Sequence, residues 1–225
     1  FQEPMASLSP VHTIADQIAT PLREHLRLSP RAARAEALDW LARVGMPAPR
    51  DVATQYPHQI SGGMRQRAMI AIALSCRPAL LICDEPTTAL DVTTEAQIVA
   101  LLGGLQSELG MAMIFISHNV ALVSQVADHV AVMYLGQTVE TGPRAAVLGR
   151  PSHPYTRGLL RSIPALAAPG MRLATLDGAV PEAARRPSGC AFHPRCPERL
   201  HGVCDARAPA LQGHEDVQTR CHLYA

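Results

Sequence analysis

The chain contains no lysine; all 20 of its basic residues are arginine. A phosphate-binding loop that relies on a lysine to reach the terminal phosphates is therefore absent from these 225 residues. An excess of charge of either sign is missing too: 20 basic and 19 acidic residues leave a formal net charge of +1. That balance gives no electrostatic footprint for nucleic acid or an anionic membrane, so partners have to be argued from sites. Long apolar runs are also lacking. Apolar runs such as "MAMIFI" fall far short of the roughly 20 residues that a membrane-spanning helix needs. No signal-peptide pattern opens the chain, no internal repeat stands out, and the expectation is a soluble, cytosolic protein.

What is present suits a globular α/β protein, since 48% apolar content supplies a sizeable core. Residues 13–28 and 30–44 read as helices, the second opened by Ser29 as N-cap with Pro30 at the first helical position. A Pro- and Gly-rich connection then leads to a helix from about Met64 to Cys76, followed by the short apolar strand "ALLIC". A helix near 93–109, a strand "MAMIFIS" and a helix near 119–127 come next. The strands "HVAVMY" and "QTVET", joined around Gly136, close the series as a hairpin. Strands separated by helices predict a parallel sheet covered on both faces. From about Gly142 the composition turns rich in Pro and Cys with little strand signal, which predicts a domain boundary near 142–150.

The chemistry-bearing stretch is "LLICDEPTTALD", residues 80–91, where an apolar strand runs into Asp84 and Glu85. Ligands of α/β sheets bind at the carboxyl ends of strands. A carboxylate there suits a hydrated magnesium ion, and a second beside it can polarise a water for attack on phosphorus. A lone acidic pair can equally do no more than cap the next helix. The segment "ISGGMRQR", residues 60–67, places Ser61, Gly62 and Gly63 at a helix start, offering bare N–H groups and the positive end of the helix dipole to an anion.

Taken together and in this order, these segments resemble the nucleotide-binding subunit of ABC transporters. "ISGGMRQR" resembles the family signature, "LLICDEP" the Walker B strand with its adjacent glutamate, and "TALD" (88–91) the D-loop. "ISHN" (116–119) resembles the switch-histidine loop, and Gln2 matches the Q-loop. The resemblance implies a P-loop NTPase-like parallel sheet with a helical subdomain (about 10–76) and a Walker B to switch-histidine core (about 77–142). It implies that Asp84 holds Mg2+ through water, that Glu85 orients or activates the attacking water, and that His118 donates to the γ-phosphate from a neutral imidazole. Gln2 would link the metal site to a transmembrane partner. Ser61, Gly62 and Gly63 would bind the γ-phosphate of ATP held on a second ATPase subunit, with Asp91 at the same interface. The family's Walker A loop belongs upstream of the Q-loop, which here is residue 2. The resemblance therefore implies an N-terminally truncated ATPase domain (1–142) that should not hold its own ATP.

Cys190, Cys196, Cys204 and Cys221 sit in the tail with gaps of 5, 7 and 16 residues. That spacing is loose for structural zinc, which usually has a pair two to four residues apart, and it suits an iron–sulfur cluster better. His193, His201 and His222 are substitute ligands should the metal be zinc. Cys76 and Cys83 lie in core-like runs and read as packing residues. "RPSHPYTRGLLRSIP" followed by "GCAFHPRCP" resembles the C-terminal extension (143–225) of dipeptide and oligopeptide importer ATPases, whose relatives import nickel or glutathione. In that group the four-cysteine tail resembles a four-iron four-sulfur site. The partners implied are a second ATPase subunit, permease subunits and, indirectly, a substrate-binding protein, at the cytoplasmic face of the membrane. A non-transport ABC ATPase acting on DNA or ribosomes would call for coiled coils or a basic face, and neither is visible. A stand-alone metal module would leave the signature and Walker B order unexplained.

Overall fold

The computed structural model describes residues 7–88, 90–163 and 176–224; Gln2 lies outside them. The chain forms two compact units, Phe1–His118 and Asn119–Ala225.

The first unit opens with two helices packed through small and aliphatic side chains. Helix α1 (Ile14–Leu26) starts where the Thr13 hydroxyl accepts the Asp16 N–H, and it buries Ile14, Ala15, Ile18, Ala19 and Leu22 along one face. Helix α2 (Pro30–Arg43) is capped by Ser29 with Pro30 in the first turn, and it buries Ala33, Ala37, Trp40 and Leu41. The four-residue helix α3 (Pro49–Val52) lies in the Pro-rich connection. Helix α4 (Gly62–Leu74) follows, with Ser61 as its N-cap. Arg67 of α4 donates to the Val44 carbonyl at 2.6 Å and so closes the end of α2 against α4.

Strand β1 (Leu80–Asp84) and strand β2 (Ala112–Ile116) pair in parallel, with Ile82 opposite Ile114 and Asp84 opposite Ile116. Helix α5 (Val92–Leu109) makes the crossover between them and ends at Gly110, whose positive φ of 62° closes the C-cap without a Cβ penalty. One face of the pair contributes Leu81 and Cys83 to the core that α1, α2, α4 and α5 share. Leu80, Ile82, Ile114 and Ile116 on the other face remain exposed. The expectation of a sheet covered on both faces thus fails within the described residues. The physical reason is that successive side chains point to opposite faces, and among the described residues of this unit helices pack on only one of them.

In the second unit, helix α6 (Val120–Val126) precedes strands β3 (His129–Tyr134) and β4 (Gln137–Pro143), an antiparallel hairpin turning at Leu135 and Gly136. Helices α7 (Arg144–Gly149) and α8 (Pro154–Arg161) follow. Strands β5 (Gln212–His214) and β6 (Val217–Thr219) extend the hairpin into a four-stranded sheet of order β3-β4-β6-β5. The hairpin that the sequence assigns to the 77–142 segment therefore folds with residues beyond 142. Phe192, 1% exposed, is the hub of this unit. Its ring lies 5.3 Å from Tyr134, 5.4 Å from Tyr155 and 5.9 Å from His153. Glu140 is fully buried and accepts N–H bonds from Ser152 at 2.6 Å and His153 at 3.0 Å, which fixes the entry to α8. Among the described residues no helix is long and apolar enough to cross a membrane.

Candidate functional site

Parallel pairing brings the ends of β1 and β2 to one edge, and the acids sit there. Asp84 is the last residue of β1. Glu85 follows with φ of 46°, a left-handed conformation that is uncommon for a residue with a side chain and tends to mark functional positions. Its N–H donates to the Ile116 carbonyl at 3.0 Å, so the β-ladder continues one step into the strained residue and holds it.

The Glu85 carboxylate is gripped at both oxygens. His118 Nδ1 lies 3.1 Å from Oε1, and the Thr88 hydroxyl donates to Oε2 at 2.8 Å. These bonds, that of His118 foremost, hold the Glu85 carboxyl below the usual glutamate range and keep it ionised. The His118 side chain is 78% exposed and that of Glu85 28%, so both reach solvent and an incoming ligand. A neutral imidazole carries one N–H. If that proton sits on Nδ1 toward Glu85, a further donation from Nε2 to a phosphate needs the protonated ring.

Ser61, Gly62 and Gly63 form a second group at the start of α4. The Ser61 hydroxyl accepts the Met64 N–H at 3.3 Å. A Cβ on Gly63 would come within 2.9 Å of the Thr94 methyl, so this helix start sits tightly against the first turn of α5. Asp91 is the N-cap of α5, accepting from the Thr94 N–H at 2.9 Å and the Thr94 hydroxyl at 2.7 Å, which lowers its carboxyl pKa. Sequence reasoning missed this capping role, although a cap residue three positions before Thr94 is a readable signal. It also missed Thr88 as a partner of Glu85.

The four tail cysteines gather in the second unit. The Cys190 N–H donates to the Cys204 carbonyl at 2.7 Å, and a Cβ on Gly189, at φ of 64°, would collide with that same carbonyl. Burial pushes the Cys196 thiol up to about 11, with a further contribution from the other three thiols. Burial also raises Cys190 and Cys221, and here too neighbouring thiols add to the effect. Among the described residues, however, no three His, Cys, Asp or Glu side chains are arranged to hold a metal ion. The tail therefore fits a soft metal in donor type and not in arrangement, and the iron–sulfur expectation has no support from geometry. His193 and His222 instead face the carbonyls of Cys190 and Arg207. Cys83 is buried, with its thiol pushed up to about 11, as a packing residue should be.

A solved ATP-binding cassette, a dimer in a post-hydrolysis state bound to ADP and phosphate, is similar with a TM-score of 0.57 and 28% identity, over 64% of this chain and 61% of that one. The fold is thus that of an ABC-type ATPase. The ABC transporter family pattern matches residues 1–88, and the pattern described as "Oligopeptide/dipeptide transporter, C-terminal region" matches residues 139–204. A Brucella melitensis protein named for peptide import and ATP binding is 54% identical over 94% of this chain and 64% of its own length. The dipeptide transport ATP-binding protein DppD of Escherichia coli is 48% identical over 99% of this chain and 68% of its own, and that of Bacillus subtilis 48% identical over 97% and 65%. The chain spans about two thirds of the length of these relatives. It belongs to the ABC transporter ATP-binding subunits of the peptide and dipeptide import type.

Proposed function

We propose that this chain is part of the energy-coupling ATPase of a dipeptide or oligopeptide importer, hydrolysing ATP where two ATPase subunits meet. The observation that carries the reading is the Glu85 carboxylate, held ionised at the carboxyl edge of β1 beside Asp84 and bonded to His118. Glu85 orients the attacking water and accepts its proton. Asp84 is the carboxylate that would hold Mg2+, which needs only one or two protein carboxylates and keeps its waters. When bound, that ion neutralises charge developing on the phosphates. His118 hydrogen-bonds the terminal phosphate, and Ser61, Gly62 and Gly63 offer the start of α4 to the γ-phosphate of nucleotide on the opposite subunit. Asp91 sets the start of α5 at that interface, and Gln2 couples the site to permease subunits. The subunit works peripherally at the cytoplasmic face of the membrane, receives its signal indirectly from a substrate-binding protein and does not engage nucleic acid.

The substrate class rests on the tail pattern at 139–204. It is tested by reconstituting the full-length ATPase with its permease and binding protein in liposomes and measuring ATP turnover with dipeptides, longer peptides, nickel or glutathione. Stimulation by peptides alone is expected; stimulation by nickel or glutathione alone would move the assignment to those importers.

For the tail we propose a structural or regulatory metal group on Cys190, Cys196, Cys204 and Cys221, an iron–sulfur cluster in preference to zinc. Its support is the gathering of four soft thiol donors in one unit, with the Cys190 N–H on the Cys204 carbonyl at 2.7 Å and neighbouring thiols adding to the burial that raises Cys190, Cys196 and Cys221. Anaerobic purification with iron and acid-labile sulfide analysis tests it. Metal-free protein with a folded tail would rule it out.

A further inference from the structure

We propose that Thr88 is a positioning residue for hydrolysis, its hydroxyl setting the rotation of the Glu85 carboxylate so that the remaining lone pairs face the attacking water; this rests on the role of Glu85 given above. The motivating fact is that Thr88 grips Glu85 at both ends. Its N–H donates to the Glu85 carbonyl at 3.2 Å, closing a tight turn, and its Oγ1 donates to Glu85 Oε2 at 2.8 Å. The backbone of Glu85 is already constrained, with φ at 46° and its N–H on the Ile116 carbonyl. What stays free is torsion about the side chain, and the terminal torsion of a glutamate is broad.

His118 alone cannot fix that torsion. A single bond to Oε1 leaves the carboxylate free to swing about the His118 contact, whereas a second bond to Oε2 defines its plane. An ionised carboxylate offers about four acceptor positions. Using one on each oxygen leaves two for a water that must sit in line with the phosphorus. His118 is also the partner expected to engage the phosphate, so its ring position serves two contacts, whereas the Thr88 hydroxyl is committed to Glu85. Thr88 is exposed and contributes nothing to the core, so changes at this position probe the site and not the fold.

The test uses the full-length ATPase with Thr88→Val, Thr88→Ser and Glu85→Gln. Valine keeps the branched shape and the backbone N–H, so the turn survives while the hydroxyl is lost; serine keeps the hydroxyl. Thr88→Val should lower kcat about tenfold, about 1.4 kcal/mol in the barrier, with KM for ATP within about twofold. Thr88→Ser should return to within about threefold of wild type. Wild-type kcat in Thr88→Val, or an equal loss in both Thr88 variants, would overturn the positioning role. If Glu85→Gln turns over normally, the reading of Glu85 itself fails. If Glu85→Gln is dead and Thr88→Val is normal, only the role of Thr88 fails.

Discussion

His153 is 1% exposed, caps α8 and lies against Phe192, and its protonation should destabilise the second unit in a defined pH window. Its Nδ1 accepts the Tyr155 N–H at 3.0 Å, which places the ring proton on Nε2. A second proton has no acceptor on Nδ1 and would be buried. Burial, reinforced by the Arg157 charge and opposed by a bond to the Arg220 backbone, lowers the imidazole pKa from 6.5 to about 4. The unfolded chain therefore takes up a proton near pH 6.5 while the folded chain refuses it. Stability is full above about pH 6.5, falls as the pH drops toward 4, and is flat below. A gap of about 2.5 units corresponds to about 3 kcal/mol. The assay is urea unfolding of the full chain between pH 7.5 and 4, compared with His153→Asn, which can still cap a helix and does not titrate. Near-ultraviolet dichroism of the tyrosines reports mainly the second unit, which holds Tyr134, Tyr155 and Tyr224 against Tyr56 in the first, and fluorescence of the single Trp, Trp40, reports the first. The variant should start less stable, and the gap between the two proteins should shrink by about 3 kcal/mol as the pH falls. Parallel curves would refute the reasoning.

Phe192→Ala should cost the second unit roughly 3–5 kcal/mol, because the ring touches Tyr134, Tyr155 and His153; urea midpoints followed by tyrosine dichroism check it. Gly189→Ala should destabilise the cysteine-bearing loop by about 2 kcal/mol or more, through its positive φ and the collision with the Cys204 carbonyl, read as faster limited proteolysis near 189. Asp91→Ala should lower the stability of the first unit through loss of the α5 cap, while Asp91→Asn should keep most of it; Trp40 fluorescence in urea separates the two.

Elements with strong local periodicity are legible in the sequence alone. The helix from Ser29 to Arg43 has its cap, its Pro and its spacing written in consecutive residues, and β1 and β2 are apolar runs bounded by turns. Glu85 and His118 are legible too, because an acidic pair after an apolar strand and an SH loop after the next strand share one edge once those strands pair in parallel. What stays hidden is long-range or weakly patterned. Glu140 reads as an ordinary strand polar residue, and only the fold brings it to the Ser152 and His153 N–H groups. Strands β5 and β6 are three residues each, built from Gln, Gly, His, Val and Thr, and carry too little alternation to register. The grip of Thr88 on Glu85 depends on the left-handed turn at Glu85 itself, which no pattern of residue types specifies. The cysteines stand out by count, but a count holds no information about their mutual arrangement.

That Glu85 drives ATP hydrolysis is the central claim, and its most direct test is Glu85→Gln in the full-length ATPase. ATP binding measured by titration and turnover measured by phosphate release should separate. Affinity should stay within a few-fold of wild type, turnover should fall at least about a hundredfold, and an ATP-dependent dimer should persist on size exclusion. Turnover near the wild-type rate, with no trapped dimer, would contradict the claim.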